Sequence, residues 1–225
     1  MGTRMTGTLS IAPVTAANRD AAFAFHQASL GEFLLPLAPE TFRHVVDARQ
    51  LFALEQPIGI AGLCYVKPDS KHVDDVPRWE LGGLYLADTM RGLGLGVALS
   101  MVAIAAVTHA DPKPIMAYVH QDHRDPLGLA IHRLGFVPTR QTIRLGPDEA
   151  RGFLRRDAAG FAVADVLRLP EAALTRVADW LEGFDGSVAG RDAHTSLRLA
   201  DGLFPSGLSE IASDLRRTAT AEPDG

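Results

Sequence analysis

Apolar and polar positions along the chain recur with two periods, and short strands alternate with helices. Residues 8 to 14, TLSIAPV, alternate as a first strand, and Asn18 stands as a cap before RDAAFAFHQASL, a helix running to Gly31. PETFRHVVDAR, 39 to 49, predicts a short helix with Pro39 in its first turn. QLFALEQPIGIAGLCYVKPDS reads as a hairpin, with strands at 50 to 55 and 58 to 66 about Gln56-Pro57. A polar loop at 67 to 78 leads into RWELGGLYLAD, a strand whose Gly82-Gly83 pair signals a bulge or a close backbone approach. From Leu93 to His109 the chain is apolar almost all round, the pattern of a helix buried on most sides. PIMAYVH is a strand, DPLGLAIHRLG a short helix ended by Gly135, and FVPTRQTIRL a further strand.

Beyond residue 147 the periodicity weakens. PDEARGFLRRDA and LPEAALTRVADWLEGF have helical spacing, with strand-like GFAVADVLRL between them. TSLRLADGLF reads as one more strand and SGLSEIASDLRR as a last helix. The pattern divides the chain into a mixed α/β domain over residues 1–146 and an extension, 147–225, packed on it. The tail 218–225 is expected to be disordered.

Composition narrows the function classes. The formal charge of −5 gives no electrostatic footprint for general nucleic-acid binding. The longest apolar run, near 97 to 107, is too short to span a membrane. The opening MGTRMTGTLSIAPVTAA lacks the basic-then-apolar order of a secretion signal, so a cytoplasmic protein is expected. Cys64 is the only cysteine, which excludes an intrachain disulfide and a thiolate zinc cluster. The basic residues are nearly all arginine; lysine occurs only at 67, 71 and 113. His120 and His123 in HQDH have metal-ligand character, but no companion cluster stands near them in sequence, so no metal is expected.

The stretch ELGGLYLADTMRGLGLGVALSMVAIAAV, 80 to 107, carries the chemistry. A P-loop requires a closing Gly-Lys-Ser/Thr, which this stretch lacks. A dinucleotide fingerprint begun at Gly92 ends on Val97, and one begun at Gly94 ends on Leu99, so neither fits. Arg-x-x-Gly-x-Gly fits throughout, as Arg91, Gly94 and Gly96 between a strand and a helix. Glycines let backbone N–H groups face a ligand without an intervening Cβ, a helix N-terminus adds unpaired donors and partial positive charge, and Arg91 adds a cation. This is an anion site suited to a pyrophosphate.

ELGGLYLADTMRGLGLGVALSMVAI resembles motif A of the GNAT superfamily of acyl-CoA-dependent N-acyltransferases, and LAIHRLGFVPTR resembles its motif B. The element order from residue 8 to 145 follows the same plan, about two thirds of the chain. The resemblance implies a central, twisted, mostly antiparallel sheet splayed between two parallel strands, with a C-terminal α/β extension beside it. It implies pantetheine against the backbone of Leu84, Tyr85 and Leu86. The pyrophosphate would lie on the N–H groups of Arg91, Gly92, Leu93, Gly94, Leu95 and Gly96. The implied co-substrate is acetyl-CoA or another acyl-CoA.

The reaction so implied is acyl transfer from the thioester to the primary amine of a small molecule or peptide. Glu80, eleven residues before Arg91, stands where relatives carry a catalytic or water-ordering glutamate. Two positions depart from the pattern. The Tyr that often serves as the thiolate's acid is Ile131 here, and the common Asn near the start of the motif-B helix is Arg124. Among the substitutes, His120 is preferred as catalytic partner, ahead of His123, His132 and Tyr118, because it would lie in or beside the opening. Phe25, His26, Glu32 and Phe33 are candidates to line the acceptor side, and Asp69, Asp74 and Asp75 to attract an ammonium group. Two alternatives stand beside this reading: a donor carried on a protein or a tRNA, and a non-catalytic CoA-binding sensor or partner module. The extension is compatible with a homodimer contact, a lid or a partner-binding element.

Overall fold

The computed structural model describes residues 8–71, 76–146, 155–191 and 194–220. In chain order the strands are β1 (Leu9–Pro13), β2 (Leu51–Gln56), β3 (Gly59–Pro68), β4 (Trp79–Leu86), β5 (Ile115–His120), β6 (Val137–Leu145), β7 (Ala162–Leu169), β8 (Ser187–Ala189) and β9 (His194–Leu199). The helices are α1 (Arg19–Ala28), α2 (Pro39–Asp47), α3 (Leu95–Ala110), α4 (Arg124–Gly128), α5 (Leu174–Glu182) and α6 (Leu208–Thr220). The strands form one sheet in the order β6-β7-β5-β4-β3-β2-β1-β9-β8. Every neighbouring pair is antiparallel except β4–β5 and β1–β9. The mostly antiparallel sheet with a parallel pair at its centre is the one expected.

Strand alternation sends side chains to two separate cores. On one face Phe42, Val45 and Val46 of α2 pack with Leu63 and Tyr65 of β3. On the other, α3, α5 and α6 cover Cys64 and Val66 of β3 and Trp79 and Leu81 of β4. Cys64 is fully buried, and burial pushes its thiol up to about 12, so it is an inert apolar residue of the strand.

The glycine pair in β4 has a specific cause. A Cβ on Gly82 would stand 2.7 Å from the Tyr65 hydroxyl, and one on Gly83 2.4 Å from the Tyr65 ring. The ring therefore lies directly on bare backbone. Between Leu63↔Tyr85 and Tyr65↔Gly82, two steps along β3 match three along β4, and Gly83 takes φ +59°. This is a bulge with a left-handed glycine, and it reverses the facing parity of the strand. Odd positions Trp79 and Leu81 face the α3 core before it; even positions Leu84 and Leu86 face the same core after it.

The chain beyond residue 146 is woven into the sheet, which corrects the two-part division expected from sequence. β7 lies between β5 and β6, and β9 adds in parallel to β1. Ile211, Ala212 and Leu215 of α6 and Val177, Ala178 and Leu181 of α5 are buried with α3. This accounts for the all-round apolar pattern of α3: one side meets the sheet and the other meets the chain's own C-terminal helices.

Other boundaries shift. α1 ends at Ala28, three residues before Gly31. Asn18 does not cap it: its Oδ1 accepts the Thr15 N–H at 2.8 Å, and its amide donates to Glu55 at 2.8 Å. Residues 147–154 of the proposed helix PDEARGFLRRDA lie outside the described residues, and 155–158 are not helical. Residues 218–220, expected in a disordered tail, form the last turn of α6; 221–225 lie outside the described residues. Among the described residues no helix is long and apolar enough to cross a membrane.

Gly83→Ala forces both a left-handed alanine and a clash with the Tyr65 ring, and is expected to cost about 2 kcal/mol. Gly128→Ala, whose Cβ meets nothing within 4 Å, is the control and leaves the thermal midpoint unchanged or raised. Thermal denaturation of the two variants makes the comparison.

Candidate functional site

β4 and β5 pair at only three positions, Trp79↔Ile115, Glu80↔Met116 and Leu81↔Ala117. Beyond Leu81 the bulge turns β4 aside, and a cleft of about 980 Å³ opens along the far half of β4. Leu84, Tyr85 and Leu86 form one wall, the glycine loop closes one end, and residues 28–34 after α1 form a roof. Its remaining sides come from α4 and the turn after it, with His123, Asp125 and His132, and from Ala189–Arg191 at the end of β8.

The glycine loop is shaped to offer donors. Gly92 and Gly94 have φ +76° and +79°, conformations that L side chains resist. The helical ladder of α3 opens with the Ala98 N–H on the Gly94 carbonyl, so the N–H groups of Leu95, Gly96 and Val97 point out of its N-terminus. Arg91 donates to the Leu86 carbonyl at 3.4 Å, pairs with Asp88 at 3.1 Å and stacks over Tyr85. Of the residues the resemblance assigned to the donor, Leu84, Tyr85, Leu86, Arg91, Gly92, Gly94, Leu95 and Gly96 line the cleft. Two do not. Leu93 packs against the core, and Arg124 is exposed, because α4 turns His123, Asp125 and Pro126 inward instead.

Two histidines fix the roof. His26 on α1 is buried, and its Nε2 accepts the Leu37 N–H at 3.1 Å. Burial holds it below the ordinary histidine value, which keeps that nitrogen an acceptor. At the other end Phe33 stacks on His123, ring centroids 4.4 Å apart and planes 19° off parallel. Arg155 lies over the same phenyl ring and pairs with Glu32 and Asp122. Burial also lowers His123, and the charges of His120 and Arg91 add to it, against Asp125.

The two residues preferred as catalytic lie elsewhere. Glu80 is buried, and its Oε2 takes Lys67 at 2.7 Å and Lys71. Tyr65 also hydrogen-bonds to it. Burial pulls Lys71 below the usual lysine range, opposed by Glu80. This carboxylate is the centre of a buried ion cluster and does not line the cleft. His120 is likewise occupied: its Nδ1 accepts the Asp122 N–H at 3.2 Å, and Nε2 lies 3.2 Å from the Arg155 carbonyl. Tyr118 donates to Asp69 at 2.6 Å, and burial with that bond holds its hydroxyl far above the usual range. His123, ranked behind His120 from sequence, is the histidine of this loop that lines the cleft. Asp74 and Asp75 lie outside the described residues.

The fold is that of the GNAT acetyltransferases. The NatC complex bound to Gag peptide and CoA superposes with a TM-score of 0.55 at 19% identity, over 72% of this chain and 98% of that one. The ribosomal-protein-S18-alanine N-acetyltransferase from Escherichia coli gives 0.52 at 18% identity, over 72% and 93%. An acetyltransferase of the GNAT family from Streptococcus pneumoniae gives 0.54 at 16% identity, over 71% and 98%. No protein-family description and no curated protein matches the sequence itself.

Glu80→Gln leaves two half-buried lysines facing an uncharged amide and is expected to cost about 3 kcal/mol, read as a lower midpoint in urea. A second expectation concerns pH. His26 and His123 bind protons less readily folded than unfolded, so stability is full above about 6.5 and declines as pH falls toward their lowered values. His26→Phe removes its share of that decline and, by stranding the Leu37 N–H, costs about 1–3 kcal/mol at neutral pH. Urea melts from pH 5 to 8 test both statements.

Proposed function

We propose that the protein transfers an acetyl or other short acyl group from an acyl-CoA to a primary amine by direct attack on the thioester. The observation that carries this reading is the continuity of one cleft. It runs from the glycine loop and the N-terminus of α3, along the unpaired edge of β4, to the roof at residues 28–34. The loop suits a pyrophosphate, the strand edge suits an amide-bearing pantetheine arm, and the roofed end leaves room for an acceptor. The similar NatC structure is of a complex bound to Gag peptide and CoA, which supports a CoA donor and an amine-bearing acceptor.

The acceptor nitrogen must lose its proton to attack, and the departing thiolate must gain one. The carbon–nitrogen bond forms at the carbonyl carbon, the carbon–sulfur bond then breaks, and one proton passes from ammonium to sulfur. His123 is the group we assign to that transfer. Burial keeps its imidazole neutral at neutral pH, so it accepts the amine's proton and, once charged, can deliver it to the thiolate. In this reading backbone N–H groups on the β4 edge stabilise the oxyanion. Glu80 serves in this reading as the anchor of the Lys67–Lys71 cluster, away from the cleft lining.

Binding is tested with Gly92→Asp. A Cβ there meets nothing within 4 Å, and aspartate tolerates left-handed backbone, so the fold survives while a carboxylate enters the anion site. Calorimetry should give binding of acetyl-CoA by the wild type and a loss of about tenfold or more in the variant; absence of binding by the wild type would overturn the reading. His123→Gln is expected to lower kcat by about a hundredfold and to abolish the acid limb of the pH profile. In the wild type that limb falls below pH 6.5, as the base becomes protonated.

A further inference from the structure

We propose that the segment Ala189–Arg191 restricts the donor to free CoA thioesters, with the Arg191 guanidinium taking the 3′-phosphate at the nucleotide end. The inference rests on the acyl-CoA reading above and names the donor class for that site. Its basis is a contact between remote parts of the chain. The Arg191 N–H donates to the Gly92 carbonyl at 2.8 Å, and a Cβ on Gly94 would stand 2.3 Å from the Ala189 carbonyl oxygen and 3.1 Å from its carbon. The segment thus lies as a strap directly on the glycine loop, and all three of its residues line the cleft.

Position along the cleft fixes what the strap would meet. The strap lies against Gly92 and Gly94, and both line the same cleft as Leu84–Leu86 and the roof. A donor whose arm follows β4 and whose pyrophosphate rests on the loop brings whatever follows its second phosphate against the strap. In CoA that is a ribose bearing a 3′-phosphate. In a carrier-protein donor the arm's single phosphate is esterified to a folded domain, whose bulk would have to displace residues bonded to the loop. A guanidinium presents the planar fork that matches a phosphate, and Arg191 is an exposed residue on the cleft wall. The strap is held through the Arg191 backbone N–H, so truncating the side chain leaves the tie to Gly92 intact.

The experiment titrates CoA and 3′-dephospho-CoA by calorimetry into wild type, Arg191→Ala and Arg191→Lys, each first shown to melt as the wild type does. Acetyl transfer from acetyl-CoA and from an acetylated acyl carrier protein is measured beside it. The expected result is that wild type prefers CoA by about tenfold. Arg191→Ala should lose this preference by weakening CoA alone, Arg191→Lys should recover part of it, and the carrier should be a poor donor. The proposal is overturned if Arg191→Ala weakens both ligands equally, if wild type shows no preference, or if the carrier donates as well as acetyl-CoA. Binding of neither nucleotide by the wild type would instead overturn the acyl-CoA reading itself.

Discussion

The architecture of the cleft depends on the ring of Tyr65 lying flat on the backbone of Gly82 and Gly83. A side chain at either position would collide with the ring, and the extra β4 residue in the register with β3 takes a left-handed turn at Gly83. From that bulge follow the reversed facing of β4, the end of its pairing with β5 after Leu81, and the opening lined by Leu84 and Leu86. The same tyrosine hydrogen-bonds to Glu80, so the bulge and the buried Lys67–Glu80–Lys71 cluster brace each other from one side chain. A strand that must both hold a sheet together and leave its neighbour needs such a device. Simple alternation would have kept β4 and β5 zipped.

How much of this was legible follows from the range over which each feature is encoded. Strand and helix periods, the Gly82-Gly83 bulge and the glycine loop are local, and each was readable from a short window. The partners of Glu80 were not. Its carboxylate pairs with Lys67 and Lys71, one on the adjacent strand and one just beyond it. Register across β3–β4, Lys67↔Glu80, would have been the signal, and it depends on where the bulge falls. The placement of His123 was hidden for a similar reason. Alternation along β5 ends at His120, and the following turn folds the Asp122 N–H back onto its ring and carries His123 into the cleft. Non-local insertions were least visible: nothing in GFAVADVLRL says that β7 slots between β5 and β6.

Lysine at the Glu80 cluster is informative because the chain otherwise prefers arginine; two of its three lysines meet on this one carboxylate. A guanidinium is wide, planar and always charged, whereas an ammonium is compact and tolerates the partial desolvation that pulls Lys71 down. Two arginines would not converge on one buried oxygen beside the Tyr118 ring, over which the Lys71 ammonium sits at 4.4 Å. The selection is therefore one of size and hydration.

The C-terminal third is best understood through α3. A helix apolar on nearly every face cannot lie on a sheet with its back to water, and in a chain ending at residue 146 its outer face would have remained uncovered. α5 and α6 supply that cover, β9 extends the sheet from β1, and the short β8 then delivers the strap onto the glycine loop. Gly94 is consequently constrained twice, by its φ of +79° and by the Ala189 carbonyl pressed where its side chain would be. A motif whose glycines are usually argued from the ligand side alone is here also required by the protein's own backbone. Substitution at Gly94 would thus disturb the strap and the glycine loop together. Gly92, with open space around its Cβ, separates the two.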